Sequence, residues 1–155
     1  MSEFTCEDNM VMMARYPDKF FGLAIVDPPY GIYEDGNRDL RLLGSAKVRR
    51  RKYHPALWGQ KRPGPEYWKE LFRVSQNQIV WGGNYFTDFL PPSRHWIVWD
   101  KRDRCAGNDY ADAELAWTSF TTSIRIFRWL WNGMLQADMK NKEDRIHPTQ
   151  KPVVL

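Results

Sequence analysis

Leu23-Ala24-Ile25-Val26-Asp27-Pro28-Pro29-Tyr30 is the stretch on which the reading of this chain turns. A continuous apolar run containing Ile and Val is expected of a strand covered on both faces of a sheet. Asp27 and two prolines then end it. A proline has no N–H for a ladder and holds φ near −65°, so the chain leaves the sheet as an extended loop. Ligands of open α/β sheets gather outside the carboxyl ends of the strands. The proline carbonyls there are free to accept hydrogen bonds. With the Asp27 carboxylate and the flat ring of Tyr30, they suit an exocyclic amine on a planar base. Taken alone, the tetrapeptide can also be read as a strand end followed by a Pro-Pro turn.

The elements around it alternate between helix and strand. Residues 7–15 carry Met10, Met13 and Ala14 on one helical face. Pro17 ends that helix, because proline disfavours helix in the residue before it. Pro65 stands at a first helical position, with Tyr67, Trp68, Leu71, Phe72 and Val74 following at helical spacing. Gln78-Ile79-Val80-Trp81 reads as a strand ended by Gly82 and Gly83, with a turn or short helix over residues 84–90. Further strands are expected at residues 95–100, 114–118 and 124–131, the last part of the sheet being antiparallel. Pro148 and Pro152 frame a segment expected to enter a helix at Val153. This order predicts an α/β fold with a mixed sheet and flanking helices. Trp81, Trp99 and Trp117 are expected in its core.

A chain of 155 residues has the length of one domain, taken here as residues 1–155. No apolar run reaches the length of a membrane span, and Met1-Ser2-Glu3-Phe4 lacks a signal-peptide profile, so a cytoplasmic protein is expected. Cys6 and Cys105 match no zinc or redox spacing and are expected to be free thiols. Eight Trp fit either a large core or a surface that stacks bases, so they do not choose between them. The distribution of charge says more. Residues 38–62 hold nine Lys/Arg and one acid, a local +8; elsewhere fourteen Lys/Arg meet eighteen Asp/Glu, a remainder of −4. All the positive excess therefore falls in residues 31–64, which lack a period and read as a long basic loop or insertion. Such a block favours polyanions through counterion release, while a solvated loop without a fixed partner is the plainer reading of the block by itself.

Two later segments stand with the opening motif. One is Ile79-Val80-Trp81-Gly82-Gly83-Asn84-Tyr85-Phe86, where Asn84 is read either as a turn former or as pocket lining. The other is Arg145-Ile146-His147-Pro148-Thr149-Gln150-Lys151-Pro152. With residues 27–30, they make the chain resemble the amino-group DNA methyltransferases of the N6-adenine/N4-cytosine type, found in phage and restriction-modification systems. The resemblance runs from about residue 8 to the last residue. It implies a Rossmann-like methyltransferase fold, S-adenosylmethionine as methyl donor, and double-stranded DNA whose target base is flipped from the stack. It gives Asp27 and the carbonyl of Pro28 the role of accepting from the target amino group, Pro29 a place in the same catalytic loop, and Tyr30 that of stacking on the base. His147, Thr149, Gln150 and Lys151 match the segment that contacts the cofactor. Lys47, Arg49, Arg50, Arg51 and Lys52 follow the catalytic loop, where they could hold the DNA backbone. No metal is implied.

The chain departs from that pattern in two places. Relatives commonly carry an acidic residue where Gly22 stands. The resemblance also implies a helix, a strand with a glycine-rich cofactor loop and an acidic ribose-binding residue after Pro152, and residues 1–155 stop before them. The expectation is thus a C-terminally truncated, adenine-specific enzyme of a bacterial or phage cytoplasm, its own activity in doubt. It would lack half of its sheet, and it would associate with itself or a complementing fragment along the exposed edge. The competing expectations are a non-catalytic DNA-binding remnant or subunit, an N4-cytosine enzyme and an RNA methyltransferase.

Overall fold

The structure, a computed structural model, describes residues 3–31, 61–102, 111–132, 135–144 and 150–154. Lys47, Arg49, Arg50, Arg51, Lys52, Cys105, His147 and Thr149 lie outside the described residues.

Helix α1 (Asn9–Ala14) begins where the Asp8 carboxylate accepts from the N–H groups of Met10 at 2.8 Å and Val11 at 3.2 Å, satisfying two donors that a helix start leaves open. Helix α2 (Pro65–Val74) starts on its proline and buries Tyr67, Trp68, Leu71 and Val74 as one stripe. Its C-terminal carbonyls are taken by a residue far away in sequence. Lys19 donates its Nζ to Phe72 O and its N–H to Arg73 O, each at 2.7 Å, placing a cation at the negative end of the helix. Arg73 reaches back to the carbonyls of Met13 at 3.1 Å and Tyr16 at 2.9 Å, so the ends of α1 and α2 are tied together.

The chain passes from α2 into β2 (Ser75–Trp81) without a loop, because Ser75 already has extended backbone angles. With β1 (Phe21–Val26), β3 (Trp96–Asp100), β4 (Ala113–Thr118) and β5 (Arg125–Arg128), it forms a five-stranded sheet in the order β1-β2-β4-β3-β5. The fold is therefore α/β with a mixed sheet. β1 and β2 are parallel, β3 and β5 are parallel, and β4 is antiparallel to both its neighbours, β2 and β3. Four strands thus run one way and β4 runs against them. A short antiparallel pair, β6 (Trp131–Asn132) and β7 (Leu135–Gln136), lies apart from the sheet.

Alternation along the strands divides the core in two. Val80 and Trp117 face α1 and α2, joining Met13, Trp68, Leu71, Val74 and Phe86. Ala116 and Trp81 face the other way, joining Trp99 and Trp131. The three tryptophans expected in the core are all there.

Three expectations need correcting. β1 is covered on one face only: Ala24 and Val26 pack inward, while Leu23 is 43% and Ile25 62% exposed. The reason is its position, since β1 is the end strand and no described residue layers over its second face. The final part of the sheet is antiparallel only in part: β4 pairs antiparallel with β2 and β3, but β5 pairs parallel to β3. Val153 enters a turn and not a helix.

Trp99 is 1% exposed, packs edge-on to Trp81 at 6.2 Å between ring centroids and donates its indole N–H to Trp129 O at 3.0 Å. Trp99→Ala is expected to cost about 3–5 kcal/mol, read as a lower urea midpoint at unchanged slope.

Candidate functional site

Strand direction brings the carboxyl ends of β1, β2, β3 and β5 and the start of β4 to one rim. Val26 pairs with Val80, so Asp27 emerges beside Trp81 and Gly82. Trp81 pairs with Ala116, and the N–H of Gly82 donates to Leu115 O at 2.8 Å, which sets Glu114 on the same rim. Lys101 follows the end of β3.

Gly82 has φ +66°, the left-handed region that glycine enters without strain. A Cβ there would stand 2.2 Å from Tyr30 Cε1, so the Tyr30 ring packs directly on the glycine backbone. Tyr85 stacks on the Tyr30 ring at 4.8 Å and 18°, and Phe86 meets it edge-on at 6.1 Å. Held in this way, the Tyr30 hydroxyl donates to Asp27 Oδ1 at 2.7 Å. Burial drives the Tyr30 phenol far above its ordinary pKa of about 10, and the Asp27 charge and the hydrogen bond to it add to the shift. Tyr30 therefore acts as a neutral donor.

The second carboxyl oxygen of Asp27 accepts from Lys151, 124 residues away in sequence. The Lys151 ammonium also lies 3.7 Å from Glu114 Oε2 and 5.4 Å from the ring centroid of Trp81. Glu114 Oε1 accepts from Lys101 Nζ at 2.9 Å. The segment carrying Lys151 is fixed by Gln150, whose carbonyl accepts from the Trp131 indole at 3.0 Å. Pro28 is buried and Pro29 is half-buried.

The described candidates thus converge: Asp27, Tyr30 and Lys151 are in direct contact, and Gln150 holds the backbone next to Lys151. Asn84 is exposed in the 3-10 turn Gly83–Tyr85. Gly22 is exposed and has no atom within 4 Å of where a Cβ would stand. The flanks of the basic segment meet at the site, because a Cβ on Gly31 would stand 2.6 Å from Arg62 Cγ. Arg62 pairs with Asp88 and lies over the rings of Phe86, at 5.4 Å, and Phe89, at 5.5 Å. Sequence reasoning missed Glu114, Lys101, Tyr85 and Arg62 as members of this rim. Only the acid of Ala113-Glu114-Leu115-Ala116, lone in an apolar strand, offered a signal. A separate cleft of about 710 Å³ opens at the other end of β4, between Phe72, Pro91, Trp117 and Phe120, and none of the expected site residues lines it. Among the described residues no three His, Cys, Asp or Glu side chains gather to hold a metal.

Comparison with known protein families, with curated proteins and with solved structures found no match.

Tyrosine ionisation makes stability depend on pH in a definite direction. A phenol whose pKa is raised by folding keeps its proton in the native state and loses it in the unfolded state above about pH 10. Stability is then constant below that pH and falls as pH rises through it. Tyr67, pushed up to about 12 by burial, stops contributing near that value, while Tyr30 continues above it. Urea unfolding at pH 8, 10 and 11 should show this loss, approaching about 1.4 kcal/mol per pH unit for each such group. Tyr30→Phe should flatten the slope.

Proposed function

We propose that this chain carries the base-binding part of an S-adenosylmethionine-dependent DNA methyltransferase acting on the N6 amino group of adenine. The observation that carries the reading is the contact between Asp27 and Lys151. Two segments at opposite ends of the sequence, each matching a motif of that family, meet at the carboxyl rim of the sheet. A Rossmann-like origin for the sheet agrees with four strands of one direction and a loop that leaves the end of β1.

In this reading the target amino group donates to Asp27 and to the Pro28 carbonyl. Both acceptors favour a pyramidal nitrogen whose lone pair is free to attack, and they stabilise the positive charge that develops there. The adenine ring stacks on the Tyr30–Tyr85 pair, which Gly82 and Phe86 hold in place. When bound, S-adenosylmethionine supplies an electrophilic methyl group. The side chains present suit it in kind: Lys151 offers an ammonium to a carboxylate, and the Trp81 face and Glu114 suit a cationic centre. Gln150, with His147 and Thr149 by resemblance, belongs to the same cofactor segment. Lys47, Arg49, Arg50, Arg51 and Lys52 belong to the segment whose flanks meet beside Tyr30, and there they would hold phosphates of double-stranded DNA next to the flipped base. Among the described residues no helix is long and apolar enough to cross a membrane, and a cytoplasmic, nucleoid-associated place fits a DNA substrate.

Labelled methyl groups from S-adenosylmethionine should enter DNA as N6-methyladenine, identified after digestion by mass spectrometry. Asp27→Ala should lower incorporation at least about 100-fold. N4-methylcytosine or methylated RNA as the product would move the reading to those enzymes. Salt-sensitive DNA binding that survives Asp27→Ala, with no methylated product from either protein, would favour the non-catalytic remnant.

The edge of β1 carries no charge and no proline from Phe21 to Val26, so its own residues do not blunt it against pairing with a second copy or a complementing fragment. Sedimentation at micromolar concentration should show association, and Ile25→Lys should return the chain to a monomer.

A further inference from the structure

Lys151 is held from two sides. Its ammonium contacts Asp27 Oδ2 and lies 3.7 Å from Glu114 Oε2, above the Trp81 ring. Lys101 occupies the other oxygen of Glu114 at 2.9 Å. The result is an alternating row along the rim: Lys101, Glu114, Lys151, Asp27 and the Tyr30 hydroxyl. The Lys151 side chain is 17% exposed and that of Glu114 28%, so water screens this row only in part. The neighbouring charges are engaged with one another, Arg128 at 3.7 Å from Asp100 and Arg102 at 2.7 Å from Asp112.

Each oxygen of Asp27 already has a donor, Tyr30 on Oδ1 and Lys151 on Oδ2. The two donors differ in freedom. The Tyr30 ring is packed against Gly82 and Tyr85, whereas a lysine ammonium on a four-carbon stem can swing. Glu114 is the anion within reach of that swing. Each oxygen keeps a second acceptor site, but a donor approaching the place that Lys151 holds on Oδ2 competes with it, and Glu114 sets how readily Lys151 yields.

We propose that Glu114 is a positioning residue that draws the Lys151 ammonium off Asp27, opening Asp27 Oδ2 to an incoming amino group. The role rests on the reading of Asp27 as the amine acceptor and extends it to residues that the sequence did not single out. Lys101 tunes the competition from the far side: its bond to Oε1 weakens the hold of Glu114 on Lys151. Removing the Glu114 charge leaves Lys151 a single anion and commits it to Asp27. Removing the Lys101 charge does the opposite.

The test is carbon and nitrogen NMR on the full chain at pH 7, with aspartate carboxyl and lysine ammonium groups isotopically labelled, and with neither DNA nor methyl donor present. Glu114→Gln should shift the Asp27 carboxyl resonance, and Lys101→Met should shift it in the opposite direction. Glu114→Asp should return it most of the way. In a Lys151→Met background, Glu114→Gln should leave the Asp27 resonance in place, because the ammonium that couples the two carboxylates is gone. Amide spectra report whether each variant is folded, and Lys101→Met carries the test should Glu114→Gln fail to fold. An Asp27 resonance that ignores both single variants, or that responds to Glu114→Gln equally with and without Lys151, overturns the proposal. No methyl transfer is read, so a missing methylated product counts against the preceding section alone.

Discussion

The parallel pairing of β1 with β2 is the constraint on which the rest of the structure depends. Its register sets Val26 against Val80, so the last paired residue of β1 lies level with the end of β2. Asp27 is therefore delivered beside Trp81, and Tyr30 comes back onto the backbone of Gly82. Both strands owe their placement to α2, which runs straight into β2 and whose final carbonyls are bonded by Lys19, just before β1. Strand slippage by one residue would turn Val80 away from α2 and Trp81 into it, reversing which face is buried. Burial and the geometry of the loop at Asp27 thus rest on one register.

The rim that results combines two kinds of order. Aromatic packing is stiff: Tyr30, Tyr85 and Phe86 fill the space that the glycine leaves, and they aim the phenol at Asp27. The ionic row through Lys101, Glu114, Lys151 and Asp27 is adaptable, since an ammonium can change partners at small cost when a second anion is near. The proposed binding of a flat group that carries an amine relies on this pairing of a rigid platform with a yielding charge. Two faces of the sheet also fare differently. One is packed against α1 and α2; on the other, Trp99 and Trp131 cluster with Trp81 and Ala116, while Leu23 and Ile25 of β1 stay exposed.

Much of this was legible in the sequence because local chemistry dictated it. Pro65 and the apolar spacing after it marked α2, Gly82 marked the end of β2, and Pro28 and Pro29 ended β1. The tryptophans at 81, 99 and 117 were read as core from composition and strand context alone. What was misread concerned neighbours. An apolar run such as Leu23 to Val26 shows that a strand is apolar on both sides, but not whether both sides are covered. The direction in which β5 pairs is set by the crossover that precedes it, and the β-branched and aromatic residues of the strand carry no record of that.

By itself, the sequence determined the two helices and the five strands of the main sheet, the loop at Asp27 and the late segment with Gln150 and Lys151, since each depends on residues adjacent in the chain. Only the tertiary structure decided that Lys151 touches Asp27 from 124 residues away, that Glu114 and Lys101 join them, and that Tyr85 backs Tyr30. Those contacts follow from strand order. An antiparallel β4 inserted between β2 and β3 turns its beginning, and not its end, toward the carboxyl rim. Glu114 reaches the site for that reason, and no local pattern in the sequence encodes it.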